Sequence, residues 1–424
     1  MNGRRPDDCF ALPPGTDWTP VDVALDRLRE ALSPITAYEE LPIQAAAGRI
    51  LALPAAAMRD NPPAANSAID GYAFATGTLP APDVDGLVTL TLAEGRAAAG
   101  HPAPAPVPPG AAVRILTGAE VPEGADTVVL QEDCAVAGAT VRFPPPRKAG
   151  ANVRRAGEDA RLGDVLLEPG RKLAPQDLAR LAVAGVGNVA VRLPLRVAVL
   201  STGDELIQPG SDPTAAGIFD ANRPMLLALA EALGHVPVDL GAVRDDEAAL
   251  RAALDRGAWE ADAILTTGGA SAGDEDHVSR LLGSEGRVST WRIAVKPGRP
   301  LAIGTWREKP IFGLPGNPVA AWVCALIFAR PALAVMAGQG WPVPRGYAVP
   351  AAFEKRKKAG RREYLRARLD TDGRAEAFRS EGSGLVGGLS WAEGLVELPD
   401  EAMEIAPGDP VRFLPWSSFG LGRA

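Results

Sequence analysis

The 424 residues contain only three cysteines and three histidines. Cys9, Cys134 and Cys324 share no metal-ligand spacing and make no disulfide framework, which fits a reducing, cytoplasmic setting. His101, His235 and His277 stand far apart and no H-E-x-x-H occurs, which argues against a zinc enzyme. An excess of basic charge is also missing. The net charge is −8 and the pI near 5.2, so no nucleic-acid groove is built from bulk charge, although a local cluster is enough for a small anion. Long apolar runs are lacking too: Val319 to Ala329 stops at Arg330, too short by itself to cross a bilayer. The first residues, MNGRRPDDCFALPPG, have no signal-peptide core. The chain contains no P-loop, no dinucleotide G-x-G-x-x-G and no Ser-His-Asp order.

What is present is ordinary globular composition, 46% hydrophobic and 23% charged, with 46 Gly and 40 Pro that imply many short elements. Length alone suggests about three domains. After a loose arm, Thr19-Pro20-Val21-Asp22 opens a helix whose Val21, Leu25, Leu28 and Leu32 share a face. From Arg59 the texture changes to short β-like runs, with Val88–Leu92, Val113–Leu116, Thr127–Leu130 and Thr140–Phe143 as candidate strands. Residues 195–340 alternate strands and helices in the manner of a doubly wound α/β domain, and strands return after Trp341. The expected division is a discontinuous N-terminal helical domain (19–58 and 153–194), an inserted β-rich domain (59–152), the α/β domain (195–340) and a C-terminal β domain (341–424).

The chain is organised around Lys309 to Ala337. It reads as a short strand, the loop Pro315-Gly316-Asn317, and a helix with Asn317 as N-cap and Pro318 at its first position. Free N–H groups at such a start suit an anion. Two earlier segments, RVAVLSTGDEL (196–206) and DAILTTGGASAGDED (262–276), have the same strand-then-polar-loop form. Together the three predict a parallel sheet whose strand-end loops meet one ligand. The expected contacts are Ser201, Thr202 and Gly203, then Gly268, Gly269 and Ser271, then Pro315, Gly316, Asn317 and Pro318. Acids follow the strands at Asp204, Glu205, Asp245, Asp246, Asp274, Glu275 and Asp276, where they suit Mg²⁺ or merely cap helices. Lys296 and Arg299 in AVKPGRP suit an oxyanion or phosphate, or plain solvated surface. His277 reads as a surface residue more readily than as a base, and Trp291, Trp306 and Trp322 as core.

In these motifs the chain resembles one family, the molybdopterin molybdenumtransferases (MoeA), related to the C-terminal domain of gephyrin. NSAIDGYA (66–73), RILTGAEVPEGAD (114–126), RRAGED (154–159), LSTGDEL (200–206), DANRPML (220–226), VRDD (243–246), TTGGASAGDED (266–276), AVKPGRP (294–300) and GLPGNPVAA (313–321) run in family order. The resemblance implies four domains, the third molybdopterin-binding and the fourth a small β-barrel, in a homodimer with a cleft shared between subunits. It implies insertion of molybdate into adenylylated molybdopterin with Mg²⁺ and release of AMP. It carries catalytic roles onto Asp70, Thr117, Asp159, Glu205, Asp246 (or its neighbour Asp245) and Asp276, with Glu205 and Asp276 holding the metal. Lys296, Arg299 and Arg366 are then expected to draw in molybdate, with Ser383 beside them and Pro315 and Pro318 shaping the nucleotide side. Transient contacts with molybdopterin adenylyltransferase and with cofactor-receiving proteins are implied, and neither nucleic acid nor membrane. Ala64-Ala65 precede Asn66-Ser67 where the family usually reads Phe-Asp-Asn-Ser, Arg299 replaces a frequent Lys, and Ala270 and Ala272 stand at frequent valines. A non-catalytic scaffold and an adenylyltransferase are the alternative readings. Intact Asp70, Thr117, Glu205 and Asp276 speak against the first, and the β modules flanking the α/β domain against the second.

Overall fold

The computed structural model describes residues 18–212, 217–268, 277–290, 293–298 and 301–422. It divides into a unit of Glu40–Val191 and a unit of Met1–Glu39 with Arg192–Ala424. In the first unit, period-two alternation makes a six-stranded sheet apolar on both faces. Its order is Thr127–Leu130, Gly71–Phe74, Ala111–Ile115, Val88–Ala97, Thr140–Phe143, Ala135–Ala137. Tyr72, Phe74, Ala112, Val129 and Phe143 pack on one face, and Ala73, Val113, Ile115 and Val128 on the other. The Val88 strand runs past Leu92 to Ala97 and pairs in parallel with Ala111–Ile115, while the other ladders are antiparallel. Gly71 sits where a Cβ would lie 1.9 Å from the Val129 carbonyl oxygen, so no side chain fits there. A separate cluster in this unit gathers Ile43, Leu51, Leu167 and Val191 around Leu181 of the Pro175–Val183 helix. Asp177 starts that helix by accepting the Ala174 N–H at 2.9 Å and pairing with Arg171 at 2.7 Å.

In the second unit the sheet is mixed rather than wholly parallel. Its order is Val236–Val243, Arg196–Thr202, Ala263–Thr267, Lys309–Leu314, Ala302–Trp306, Arg287–Thr290. The first four strands are parallel and the last two antiparallel. The Ala302–Trp306 strand escapes the sequence because its hairpin turn is Arg307-Glu308, with φ of 46° and 67°. That is the primed-turn backbone without the Asn-Gly that usually announces it. Arg307 compensates by stacking on Trp306, 5.2 Å from its ring, and bonding Asp255 at 3.0 Å. Arg196–Thr202 and Ala263–Thr267 are buried almost throughout, as expected of central parallel strands. Helices Glu247–Glu260 and His277–Ser284 cover one face through Leu250, Leu254, Leu281 and Leu282. Helices Asn222–Ala232 and Pro318–Met336 pack together and cover the other. The sheet is therefore wound on both faces.

The Pro318–Met336 helix corrects the reading of its apolar run as too short to span a bilayer. It is 19 residues long with mean hydropathy 2.0, enough by length and composition, but 94% of it is buried inside the protein. It widens to a π-helical turn over Ala325–Ala329, just before Pro331, which has no N–H to give. Buried Arg330 donates to Leu326 O at 3.3 Å and Pro342 O at 2.9 Å, and burial pushes its pKa down to about 10. Of the three tryptophans expected in cores, Trp306 is fully buried, Trp322 is partly buried and stacks edge-on against Trp416, and Trp291 lies outside the described residues.

Strands Arg362–Leu369, Gly394–Leu398, Pro410–Pro415 and Tyr347–Pro350 form the C-terminal sheet, and Val295–Lys296 adds to its edge beside Arg362–Leu369. The short Ala375–Ala377 strand pairs with Arg362–Leu369, and a parallel bridge from Ala375 to Ala351, just after Tyr347–Pro350, with the Ala352 N–H on Ala375 O at 2.8 Å, brings this sheet round on itself as a small barrel requires.

Gly71→Ala forces the added methyl into the Val129 carbonyl. It is expected to lower stability by about 1–3 kcal/mol or more. Gly77→Ala, where nothing lies within 4 Å of the new methyl, is expected to stay within about 0.5 kcal/mol. Urea unfolding of both variants checks the contrast.

Candidate functional site

The sheet order changes direction between Arg196–Thr202 and Ala263–Thr267. The chain runs from the former out to Val236–Val243 on one side and then returns to the latter on the other. The crevice beyond the carboxyl ends of such strands is where doubly wound sheets bind ligands. Here the loops close on one another. Gly268, at φ +89°, lies so near the Thr202 carbonyl that a Cβ would sit 2.1 Å from its oxygen, and a Cβ on Gly316 would be 3.7 Å from Gly268 Cα. Asn222, which opens the next helix, donates its side-chain Nδ2 to Thr267 Oγ1 at 2.6 Å and to Gly316 O at 2.6 Å. Thr267 Oγ1 in turn donates to Pro315 O at 3.2 Å. Buried Asp220 holds that helix start by accepting the Asn222 and Arg223 N–H groups, each at 3.1 Å.

Of the sequence-predicted residues Ser201, Thr202, Gly203, Gly268, Pro315, Gly316, Asn317 and Pro318 at these strand ends, Thr202, Gly268 and Gly316 approach one another closely, and Thr267 is tied to the Gly316 loop by Asn222, a residue not counted among them. Its signal was the DANRPML motif, which fixes its position but not its role. Its Oδ1 is buried without a partner, as are Ser201 Oγ and Thr266 Oγ1. Gly269, Ser271 and Asp276 lie outside the described residues, as does Arg299.

The carboxylates separate by environment. Asp246 is the N-cap of Glu247–Glu260, accepting the Ala249 N–H at 2.8 Å, so the expected catalytic acid there is engaged in capping. Its neighbour Asp245 faces the crevice loop and accepts Thr202 Oγ1–H at 2.7 Å, while its own N–H reaches Asp204 at 3.3 Å. Glu205 is exposed, its carboxylate folds back over Gly203, and its carbonyl accepts the Ile218 N–H at 2.8 Å. Among the described residues no three His, Cys, Asp or Glu side chains gather as a metal site. The donors at this crevice are oxygens, the chemistry that suits Mg²⁺.

Asn317 occupies the N-cap position, but its side chain makes no capping bond. The helix start is satisfied from elsewhere: the Val319 N–H donates to Ser383 O at 3.1 Å. Val319 also lines a cavity of 270 Å³ shared with Lys296, Lys355, Tyr364, Arg366 and Glu381. Lys296 Nζ lies 2.7 Å from Glu381 and 3.4 Å from Glu363, and Lys355 pairs with the same two carboxylates. Arg366 is buried and donates to the carbonyls of Ser380, Gly382 and Leu385 while stacking 4.7 Å from the Phe378 ring. Burial lowers its pKa. Arg366 thus lines the cavity and also clamps the loop that carries Ser383. Lys355, Glu363 and Glu381 carried no sequence signal.

Asp70, Thr117 and Asp159 belong to the Glu40–Val191 unit. Asp70 Oδ1 accepts both the Thr117 hydroxyl and the Thr117 N–H at 2.7 Å, which extends the Gly71 strand into a fixed corner. Those two bonds, the hydroxyl's first, hold the Asp70 pKa below the usual 3.8. Asp159 is exposed and accepts Asn61 Nδ2–H at 2.9 Å, and no hydrogen bond or ion pair joins it to Asp70 or Thr117 among the described residues.

A depressed folded-state pKa stabilises above the unfolded value and is lost as pH falls through the folded one. The Asp70–Thr117 contribution is therefore complete above pH 3.8 and disappears only below it. Thr117→Val is expected to move the Asp70 titration, followed by carboxyl NMR, part of the way back up to 3.8.

Residues 19–185 match the MoeA N-terminal region (domain I and II), 198–335 a probable molybdopterin binding domain, and 348–416 the MoeA C-terminal region (domain IV). The chain is 35% identical over 403 residues to the molybdopterin molybdenumtransferase of Haemophilus influenzae, covering 94% of this chain and 98% of the relative. To molybdopterin molybdenumtransferase 2 of Mycobacterium tuberculosis it is 33% identical, covering 90% and 95%. The fold matches the crystal structure of the MoeA molybdopterin biosynthesis protein of Pyrococcus horikoshii with TM-score 0.82 at 28% identity, covering 94% of this chain and 100% of that one. The chain belongs to the MoeA family of molybdopterin molybdenumtransferases, enzymes of molybdenum cofactor biosynthesis.

Proposed function

We propose that this protein takes adenylylated molybdopterin and molybdate, uses Mg²⁺, inserts molybdenum between the two dithiolene sulfurs and releases AMP. The observation that carries the reading is the convergence of strand-end loops at the switch point, stapled by Asn222 and packed closely through their glycines.

The chemistry balances without a redox partner. Two Mo–S bonds replace two Mo–O bonds, and the displaced oxygens take up protons and leave as water. One water adds across the phosphoanhydride and AMP departs. Molybdenum keeps its oxidation state. The chain's own work is positioning. Gly203, Gly268 and Gly316 let the strand-end loops pack closely on one another and on Glu205. Asp245 fixes the Thr202 hydroxyl. Lys296 supplies positive charge for molybdate, and Arg366 holds the Ser383 loop beside it. Glu205 and Asp276 would hold Mg²⁺, which when bound offsets the negative charge of the departing nucleotide. The same reading takes the working form as a cytoplasmic homodimer with a shared site, in transient contact with molybdopterin adenylyltransferase and cofactor-receiving proteins. Its support is the family, and the free thiols of Cys134 and Cys324 agree with that compartment.

The test follows AMP release and metal incorporation together in the purified protein. Release that requires both molybdate and Mg²⁺ is expected; tight binding of adenylylated molybdopterin without release overturns the reading. Glu205→Gln is expected to raise the Mg²⁺ concentration for half-maximal release by about tenfold.

A further inference from the structure

The cavity beside the Pro318–Met336 helix holds two lysines and two glutamates, and the two glutamates are held differently. Glu363 is buried on the Arg362–Leu369 strand, its backbone in register with Lys296, so it cannot leave without breaking the sheet. Glu381 stands on an irregular loop with its side chain 49% exposed. Its two carboxylate oxygens are divided between the ammonium groups, Oε2 on Lys296 at 2.7 Å and Oε1 on Lys355. Burial disfavours the Glu381 carboxylate, yet the hydrogen bonds from Lys296 and Lys355 overcome this and keep its pKa below the usual value. The backbone on both sides is pinned, because Arg366 bonds Ser380 O and Gly382 O, and Val319 N–H bonds Ser383 O. The Glu381 side chain can therefore rotate away without the loop coming undone.

We propose that Glu381 is an internal stand-in for the oxyanion: it bridges Lys296 and Lys355 when substrate is absent and must be displaced when a divalent oxyanion enters. This rests on the reading above, in which Lys296 faces molybdate. At the lysine pair one fixed carboxylate and two ammoniums leave a single net positive charge, which Glu381 cancels, while Arg366 and Arg379 with Glu354 on the same lining add one more positive charge. An oxyanion of two negative charges pays for entry by releasing Glu381 to water, and a weaker anion does not. Glu381 thus lowers affinity and sets a threshold that monovalent anions fail to cross, a specificity device built from repulsion.

The experiment measures molybdate binding to the full-length protein by equilibrium dialysis, with sulfate and chloride as competitors. Glu381→Gln keeps the shape and removes the charge. It is expected to bind molybdate about tenfold more tightly, the scale of one charge-assisted hydrogen bond, and to be more sensitive to chloride. Glu381→Ala is expected to change in the same direction, which separates loss of charge from a new amide contact. Unchanged or weaker binding in both variants, with thermal unfolding as in the unaltered protein, overturns the proposal. Lys296→Ala tells the two readings apart. If it loses molybdate while the Glu381 variants bind as before, only the stand-in is wrong; if it binds as before, the cavity is not the oxyanion site and both fall.

Discussion

One buried amide holds the crevice together. Asn222 joins the end of one central strand, through Thr267, to the loop after another, through Gly316. Each bond is worth only about 1 kcal/mol net, but the groups are buried, and leaving any of them unpaired costs about 1–3 kcal/mol. The glycines make the closeness possible, since Gly268 touches the Thr202 carbonyl with no side chain between them. Among the described residues Asn222 Oδ1 has no partner, a residual cost of this arrangement.

The helix that follows this loop connects the crevice to the lysine cavity. Its first turn is adjacent to Gly316 on one side, and Val319 lines the cavity on the other. A helix start usually offers its N–H groups to an anion, but here one is already given to Ser383 O. The nearby positive charge is Lys296, which the edge strand Val295–Lys296 binds into the C-terminal sheet. That pairing with Arg362–Leu369 is why Lys296 sits opposite residues far away in sequence, Glu363 and Glu381.

What was legible in the sequence was local. Thr127–Leu130, Thr140–Phe143 and the strand-then-loop segments follow from alternation and apolar runs, and the helix start at Pro318 from the Asn317-Pro318 pair, although the Asn317 side chain makes no capping bond. The antiparallel edge was hidden because Arg307-Glu308 makes a primed turn with residues that do not favour it, stabilised by Trp306 and Asp255 from outside the turn. The division of labour between Asp245 and Asp246 was equally hidden. Adjacent acids look alike in a string, and only the helix direction decides that the second caps and the first faces the Thr202 loop.

Arginine shows the same limit. Arg366 reads as a cation for an oxyanion because its type and motif suit one. In three dimensions three of its N–H groups are given to carbonyls, and its guanidinium lies on Phe378. Burying an arginine is costly unless its N–H groups find acceptors, and those acceptors here organise a loop. The loop it holds presents Glu381 to two lysines and Ser383 to a helix start. Lysine, a flexible point charge, is better suited to exchange one anion for another, and arginine to fixing the frame in which that exchange takes place.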